Sequence, residues 1–185
     1  MKAVCVIPAR GGSVRIPRKN IRLFKGVPMV CHAINCAKAS DLFERVIVSS
    51  EDDEVLEIAQ SYGADVLVRP RWLAELDGNC DPGTQEIVRH SLEVIDWKGE
   101  FSCCLYPCTP LLSPFELTAA KEWLDHIKFD YAFIEGQFYY GRTLAFLEGR
   151  DLRHNSIEAH KEYLIDINTE SDWQKAEELY EKLGR

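Results

Sequence analysis

A chain of 185 residues, 46% of them hydrophobic, is long enough to bury one ordinary core, so residues 1–185 are expected to form a single domain. Lysine and arginine number 22 against 30 aspartates and glutamates; the net charge of −8 argues against nucleic acid as a partner and makes any basic cluster a local exception built for a site. The seven cysteines include no C-x-x-C pair, and Cys5, Cys103 and Cys104 fall in apolar runs, which predicts reduced buried thiols and a cytoplasmic protein. No apolar run is long enough to cross a bilayer, and Met1-Lys2 leads directly into an apolar strand, so no membrane partner is expected.

In chain order, the apolar, β-branched run from Ala3 predicts a buried strand that breaks at Arg10 into a loop. In that loop Gly11 and Gly12 allow backbone N–H groups to turn inward, Ser13 adds a hydroxyl, and Arg10, Arg15, Arg18 and Lys19 supply positive charge. The combination suits a strongly anionic guest such as a triphosphate. Taken alone, a Gly-Gly pair reads equally well as a turn and the cations as a solvated loop. Pro28–Ser40 follows as a first helix, on which His32 and Asn35 are expected to be surface or cap groups. Arg45–Ser49 predicts a second buried strand, Asp52–Tyr62 an amphipathic helix ended by Gly63, and Asp65–Val68 a third strand. This succession of strand, helix, strand, helix, strand predicts an α/β fold. Its form is a doubly wound, mostly parallel sheet with helices on both faces, a Rossmann-like arrangement that places ligands at the carboxyl ends of its strands.

Asp77 to Gly83 reads as loop, and Thr84–Ile95 as a helix opened by a cap-like Thr84, with His90 in a structural role. Phe101–Leu105 reads as the central strand, Ser113–Ile127 as an amphipathic helix with Leu117, Ala120 and Leu124 inward, and Asp130–Phe133 as a further strand. Gln174–Leu183 closes the pattern as a helix. If the segment around Asp166 is a strand, Asp166 and Asn168 share one face; Asp166 also reads as a cap or strand-end carboxylate.

Residues 7 to 21, Ile-Pro-Ala-Arg-Gly-Gly-Ser-Val-Arg-Ile-Pro-Arg-Lys-Asn-Ile, resemble the N-terminal signature of the sugar-activating cytidylyltransferases, the family of the CMP-N-acylneuraminate and CMP-KDO synthetases. The pseudaminic acid branch, with I-P-A-R-G-G-S-K-R-I-P-R-K-N-I, is the nearest pattern, and Val14 replaces its lysine. Ser49-Ser50-Glu51-Asp52, Arg69-Pro70, Tyr106-Pro107-Cys108-Thr109-Pro110, Gly136-Gln137-Phe138-Tyr139 and Ile165-Asp166-Ile167-Asn168-Thr169 match further family motifs. The long segment that the family carries before the Gly-Gln-Phe-Tyr motif, with its sugar contacts and dimerisation hairpin, is absent.

The resemblance implies transfer of CMP from CTP to the anomeric hydroxyl of a nonulosonic acid, of pseudaminic or sialic acid type, with release of pyrophosphate. It assigns phosphate handling to Arg10 and Lys19, a phosphate cradle to Gly11, Gly12, Ser13 and Arg15, and nucleoside contacts to Asn20, Arg69 and Thr84. Gln137 and Tyr139 would face the sugar, and Asp166 with Asn168 would hold Mg²⁺, Asp166 also orienting the attacking hydroxyl. Lack of the dimerisation segment implies a monomer. Val14, Asn168 and the shortened middle also define a second expectation, a nucleotide-binding member of the family with weak or no turnover.

Overall fold

Every residue of β1, Ala3–Pro8, is buried, and the strand shows why an uninterrupted apolar run is needed there. Ala3, Cys5 and Ile7 enter one hydrophobic cluster and Val4 and Val6 enter another, so both faces of the strand are covered. The computed structural model describes residues 3–13, 15–76, 81–126 and 128–184; Val14, the start of the expected 77–83 loop and Ile127 lie outside them.

The remaining elements are β2 Leu23–Phe24, β3 Val27–Pro28, α1 Met29–Ala39, β4 Phe43–Ser50, α2 Asp53–Ser61, β5 Asp65–Val68, α3 Arg71–Leu76 and α4 Asp81–Val94. They continue with β6 Phe101–Leu105, α5 Pro114–His126, β7 Tyr131–Ile134, β8 Phe138–Arg142, α6 Thr143–Leu147, β9 Ser156–Glu158 and α7 Glu170–Lys182. The main sheet runs β5-β4-β1-β6-β8-β7-β9, with β6 at its middle as expected. β5, β4, β1 and β6 are mutually parallel, and only β8 runs against its neighbours. Helices α1, α2 and α5 cover one face through Ile34, Val55, Ala59, Leu117, Ala120 and Leu124; α4 and α6 cover the other through Val88, Leu92 and Phe146. The expected α/β, doubly wound, mostly parallel architecture is therefore present.

Chain direction reverses between β1 and β6: the first crossovers step outward to β4 and β5, and the next strand is laid on the opposite side of β1. Loops leaving β1 and β6 consequently diverge, and a crevice opens at their carboxyl ends.

The local signals behave as the physics of caps requires. Asp52 caps α2 by accepting from Val55 N–H at 3.1 Å, and Gly63, at φ +74°, ends it in the left-handed conformation. Three expectations need correction. Helix α4 begins at Asp81, not Thr84, because a proline at residue 82 is compatible with a first turn whose N–H groups have no helical partner. Helix α7 begins at Glu170, four residues before Gln174, because Thr169 and Asp172 form a reciprocal capping box. Residues 164–168 are irregular backbone, so Asp166 and Asn168 do not owe their proximity to a strand.

A third cluster joins Ile16, Phe24, Met29, Ile167, Trp173 and Ala176 and docks α7 against the β2–β3 hairpin. His32 belongs to this junction and not to the open surface. Its Nε2 lies 3.0 Å from the Phe24 carbonyl oxygen, its ring meets Phe24 and Tyr180 edge-on, and burial lowers its pKa.

Candidate functional site

Strand β1 delivers the basic loop to the crevice, and two buried residues give that loop its shape. Ile16 is fully buried and anchors it. Asn20 braces it from within: Nδ2 donates to the Arg10 carbonyl at 2.8 Å, Oδ1 accepts from Cys108 Sγ at 3.2 Å, and its own carbonyl accepts from Val30 N–H at 2.8 Å. Lys19 Nζ donates to the Ile167 carbonyl at 2.7 Å and so ties the loop to the segment carrying Asp166 and Asn168.

Not all the loop cations serve the crevice. Arg18, at φ +54°, turns away and pairs with Asp52 and Glu54, each at 2.5 Å. The Arg18 guanidinium holds the Asp52 carboxyl below its usual value. Arg10, Arg15 and Lys19 line a cavity of about 290 Å³, together with Ser13, Asn20, Thr84, Asp166 and Asn168. Eight of the residues singled out from the sequence thus meet around one space at the carboxyl ends of β1 and β6.

Five others stand outside its lining. Gly11 donates its N–H to Glu51 Oε1 at 2.8 Å, and Gly12 is exposed. Arg69 is buried, with Nη2 3.0 Å from Glu51 Oε2. Gln137, 1% exposed, donates Nε2 to the Ile165 carbonyl at 3.1 Å, while its backbone carbonyl accepts from Tyr106 N–H at 2.9 Å. Tyr139 is equally buried, stacks on Phe133 and donates its hydroxyl to Glu135 Oε2 at 3.3 Å. These two residues brace the acidic side of the cavity from behind.

The cavity also contains residues to which the sequence reading gave no individual role: Tyr106, Cys108, Glu135 and Gly136. Tyr106 is 3.1 Å, hydroxyl to hydroxyl, from Thr84. Glu135 and Gly136 arrive on the turn between β7 and β8. Gln137 N–H donates back to the Ile134 carbonyl at 2.9 Å, and Gly136, at φ +70°, occupies the third position of this tight turn, where glycine is favoured. A Cβ on Gly136 would lie 2.8 Å from Asp166 Cβ, so the bare glycine also lets the Asp166 segment approach. A signal was available: Ile134 and Phe138 are too close in sequence for a crossover, so a strand on each side had to form a hairpin.

The result is a cleft lined by both signs of charge, cations from the β1 loop together with Glu135 and Asp166. Asn168 Nδ2 donates to Asp166 Oδ2 at 2.5 Å, which holds the two side chains together without a second charge. Among the described residues there is no group of three or more His, Cys, Asp or Glu that could hold a metal ion.

The sequence profile of the cytidylyltransferase family matches residues 4–101. A pseudaminic acid cytidylyltransferase from Campylobacter jejuni is 36% identical over 150 residues, covering 79% of this chain and 63% of that protein. An N-acylneuraminate cytidylyltransferase from Escherichia coli is 34% identical over 109 residues, covering 59% of this chain and 25% of that one. The chain thus spans about 63% of the length of the Campylobacter relatives it matches. In fold it is similar to a CMP:2-keto-3-deoxy-manno-octonic acid synthetase complexed with CTP, with a TM-score of 0.74, 15% identity, and coverage of 99% of this chain and 100% of that one.

Proposed function

Because the chain belongs to the cytidylyltransferase family, we propose that it transfers CMP from CTP to the anomeric hydroxyl of a nonulosonic acid of pseudaminic or sialic acid type. The observation that carries this reading is the cleft at the carboxyl ends of β1 and β6, which Arg10, Arg15 and Lys19 line together with Glu135 and Asp166. In the reaction the sugar hydroxyl oxygen bonds to the α-phosphorus, the bond to the bridging oxygen of the β-phosphate breaks, the hydroxyl proton leaves, and pyrophosphate departs. Positioning and charge neutralisation supply most of the catalysis of such a step. Arg10 and Lys19 neutralise charge on the α-phosphate and leaving group, Ser13 and Arg15 hold the outer phosphates, and Asn20 and Thr84 contact the nucleoside. Asp166 orients the attacking hydroxyl. The hard oxygen donors of Asp166 and Asn168 fit Mg²⁺, which when bound would neutralise phosphate charge.

The six described cysteines are buried thiols, which supports a reducing compartment such as the cytoplasm. The tight β7–β8 turn, in place of a protruding arm, supports a monomer, and light scattering tests that point. The decisive assay is pyrophosphate release on mixing the protein with CTP, Mg²⁺ and a panel of nonulosonic acids. Release with CTP but not ATP, GTP or UTP is expected; no release with any pair overturns the proposal. Asn168 beside Asp166 favours one second reading, a family member that binds CTP without turnover, which would show a CTP-specific rise in melting temperature and no pyrophosphate.

A further inference from the structure

Glu51 follows β4 directly, and its carboxylate joins three segments. Oε1 accepts the Gly11 N–H at 2.8 Å, while Oε2 accepts Arg69 Nε at 3.1 Å and lies 3.0 Å from Nη2. The Arg69 side chain is wholly buried and that of Glu51 is 15% exposed, so the pair is little screened by solvent. Arg69 is itself fixed, because its N–H donates to the Ser50 carbonyl at 3.0 Å. The far end of the chain of contacts is equally determined. Gly11 does not need a left-handed φ; it needs the absence of a side chain, since a Cβ would fall 2.1 Å from Asp52 Oδ2 and 2.7 Å from Asp52 Cβ. That close approach puts the Gly11 N–H onto Glu51.

We infer that Glu51, held by Arg69, is a positioning residue for the phosphate-binding loop. The inference rests on reading residues 10 to 20 as the triphosphate loop. Gly11 lies between Arg10 and the Ser13 side of the cavity, so fixing its amide fixes the entry of both. A loop ordered before the ligand arrives loses less freedom on binding, and the gain falls on the phosphates and not on the sugar.

The test uses Glu51→Ala and Glu51→Gln in the full chain, with melting curves to confirm folding. Hydrogen exchange of the ligand-free protein reads the Gly11 amide, and calorimetry with CTP and with inorganic triphosphate reads the loop. Glu51→Ala should speed Gly11 exchange and weaken both ligands about tenfold, the equivalent of one charge-assisted hydrogen bond, with the KM for the sugar unchanged. Glu51→Gln, which keeps an acceptor oxygen but loses the ion pair, should lie between it and the parent; if Glu51→Ala does not fold, that intermediate effect decides. Unchanged Gly11 exchange, or triphosphate binding as tight as in the parent or tighter, overturns the inference. Parent protein that binds inorganic triphosphate but not CTP refutes the nucleotide reading alone, and the exchange comparison still decides the role of Glu51.

Discussion

Gly11 and Gly12 are adjacent and equally suggestive in the sequence, yet substitution by alanine should separate them sharply. At Gly12 a Cβ meets nothing within 4 Å, so Gly12→Ala should be close to neutral. At Gly11 the new methyl would sit 2.1 Å from Asp52 Oδ2, 2.6 Å from Cγ and 2.7 Å from Cβ. The last distance means that rotating the Asp52 side chain is not enough; loop and helix terminus must part by about 1 Å before ordinary van der Waals contact is restored. A shift of that size stretches the Gly11–Glu51 hydrogen bond beyond reach and disturbs the Asp52 cap on α2. Losing a hydrogen bond to a charged group costs about 2 kcal/mol and loss of a cap about 1 kcal/mol, so the expected destabilisation is about 3 kcal/mol. For a chain of this size that corresponds to a fall in Tm of roughly 6 to 12 °C. Differential scanning calorimetry of both variants, with CTP titrations, measures the contrast. A Gly11→Ala protein as stable and as avid for CTP as Gly12→Ala would refute the packing argument.

Lys19→Ala should lower pyrophosphate release about a hundredfold while leaving Tm within a few degrees, since the side chain contributes charge to the cleft and one hydrogen bond to Ile167 but no core area; near-parental activity would remove Lys19 from the phosphate site. Asn168→Asp places a second carboxylate beside Asp166, so calorimetry with Mg²⁺ should show tighter binding, and equal affinity would count against these residues as the cation site. Asp52 has a folded pKa held below 3.8, chiefly by the Arg18 hydrogen bond, so its stabilisation is present above that value and disappears as pH falls through the folded pKa. The gap in Tm between the parent and Asp52→Asn should therefore be constant near neutrality and close at strongly acid pH; a gap that widens on acidification would reverse the sign. Burial pushes the Cys31 thiol up to about 11, so iodoacetamide at pH 8 should label it only after denaturation, as peptide mapping would report.

The parts of the fold legible in the sequence are those where one local rule acts alone. The run from Ala3 could only be a strand covered on both faces, and Asp52 and Gly63 bracket α2 by capping chemistry that needs no tertiary partner. Where tertiary contacts decide, the sequence is silent or misleading. Arg18 looks like one more phosphate ligand until the loop's left-handed turn delivers it to Asp52 and Glu54. Asp166 and Asn168 look like strand neighbours but are set side by side by Gln137, Gly136 and Lys19, residues that are distant in sequence. Glu135 went unnoticed because its place in the cleft depends on the tight turn between β7 and β8.

The docking of α7 has a consequence in time. Lys19 to Ile167, Arg22 to Glu170 and Lys25 to Glu181 are contacts across 148, 148 and 156 residues, and Arg22 also stacks 4.3 Å above the Trp173 ring. On a ribosome elongating at 5–20 residues per second, Lys19 would emerge roughly 7 to 30 s before its anchor. Strands β1, β4, β5 and β6 can pair during that interval, but the basic loop still lacks its Lys19 anchor on Ile167. A nascent chain would therefore acquire its scaffold long before the crevice at the ends of β1 and β6 is complete with Asp166 and Asn168.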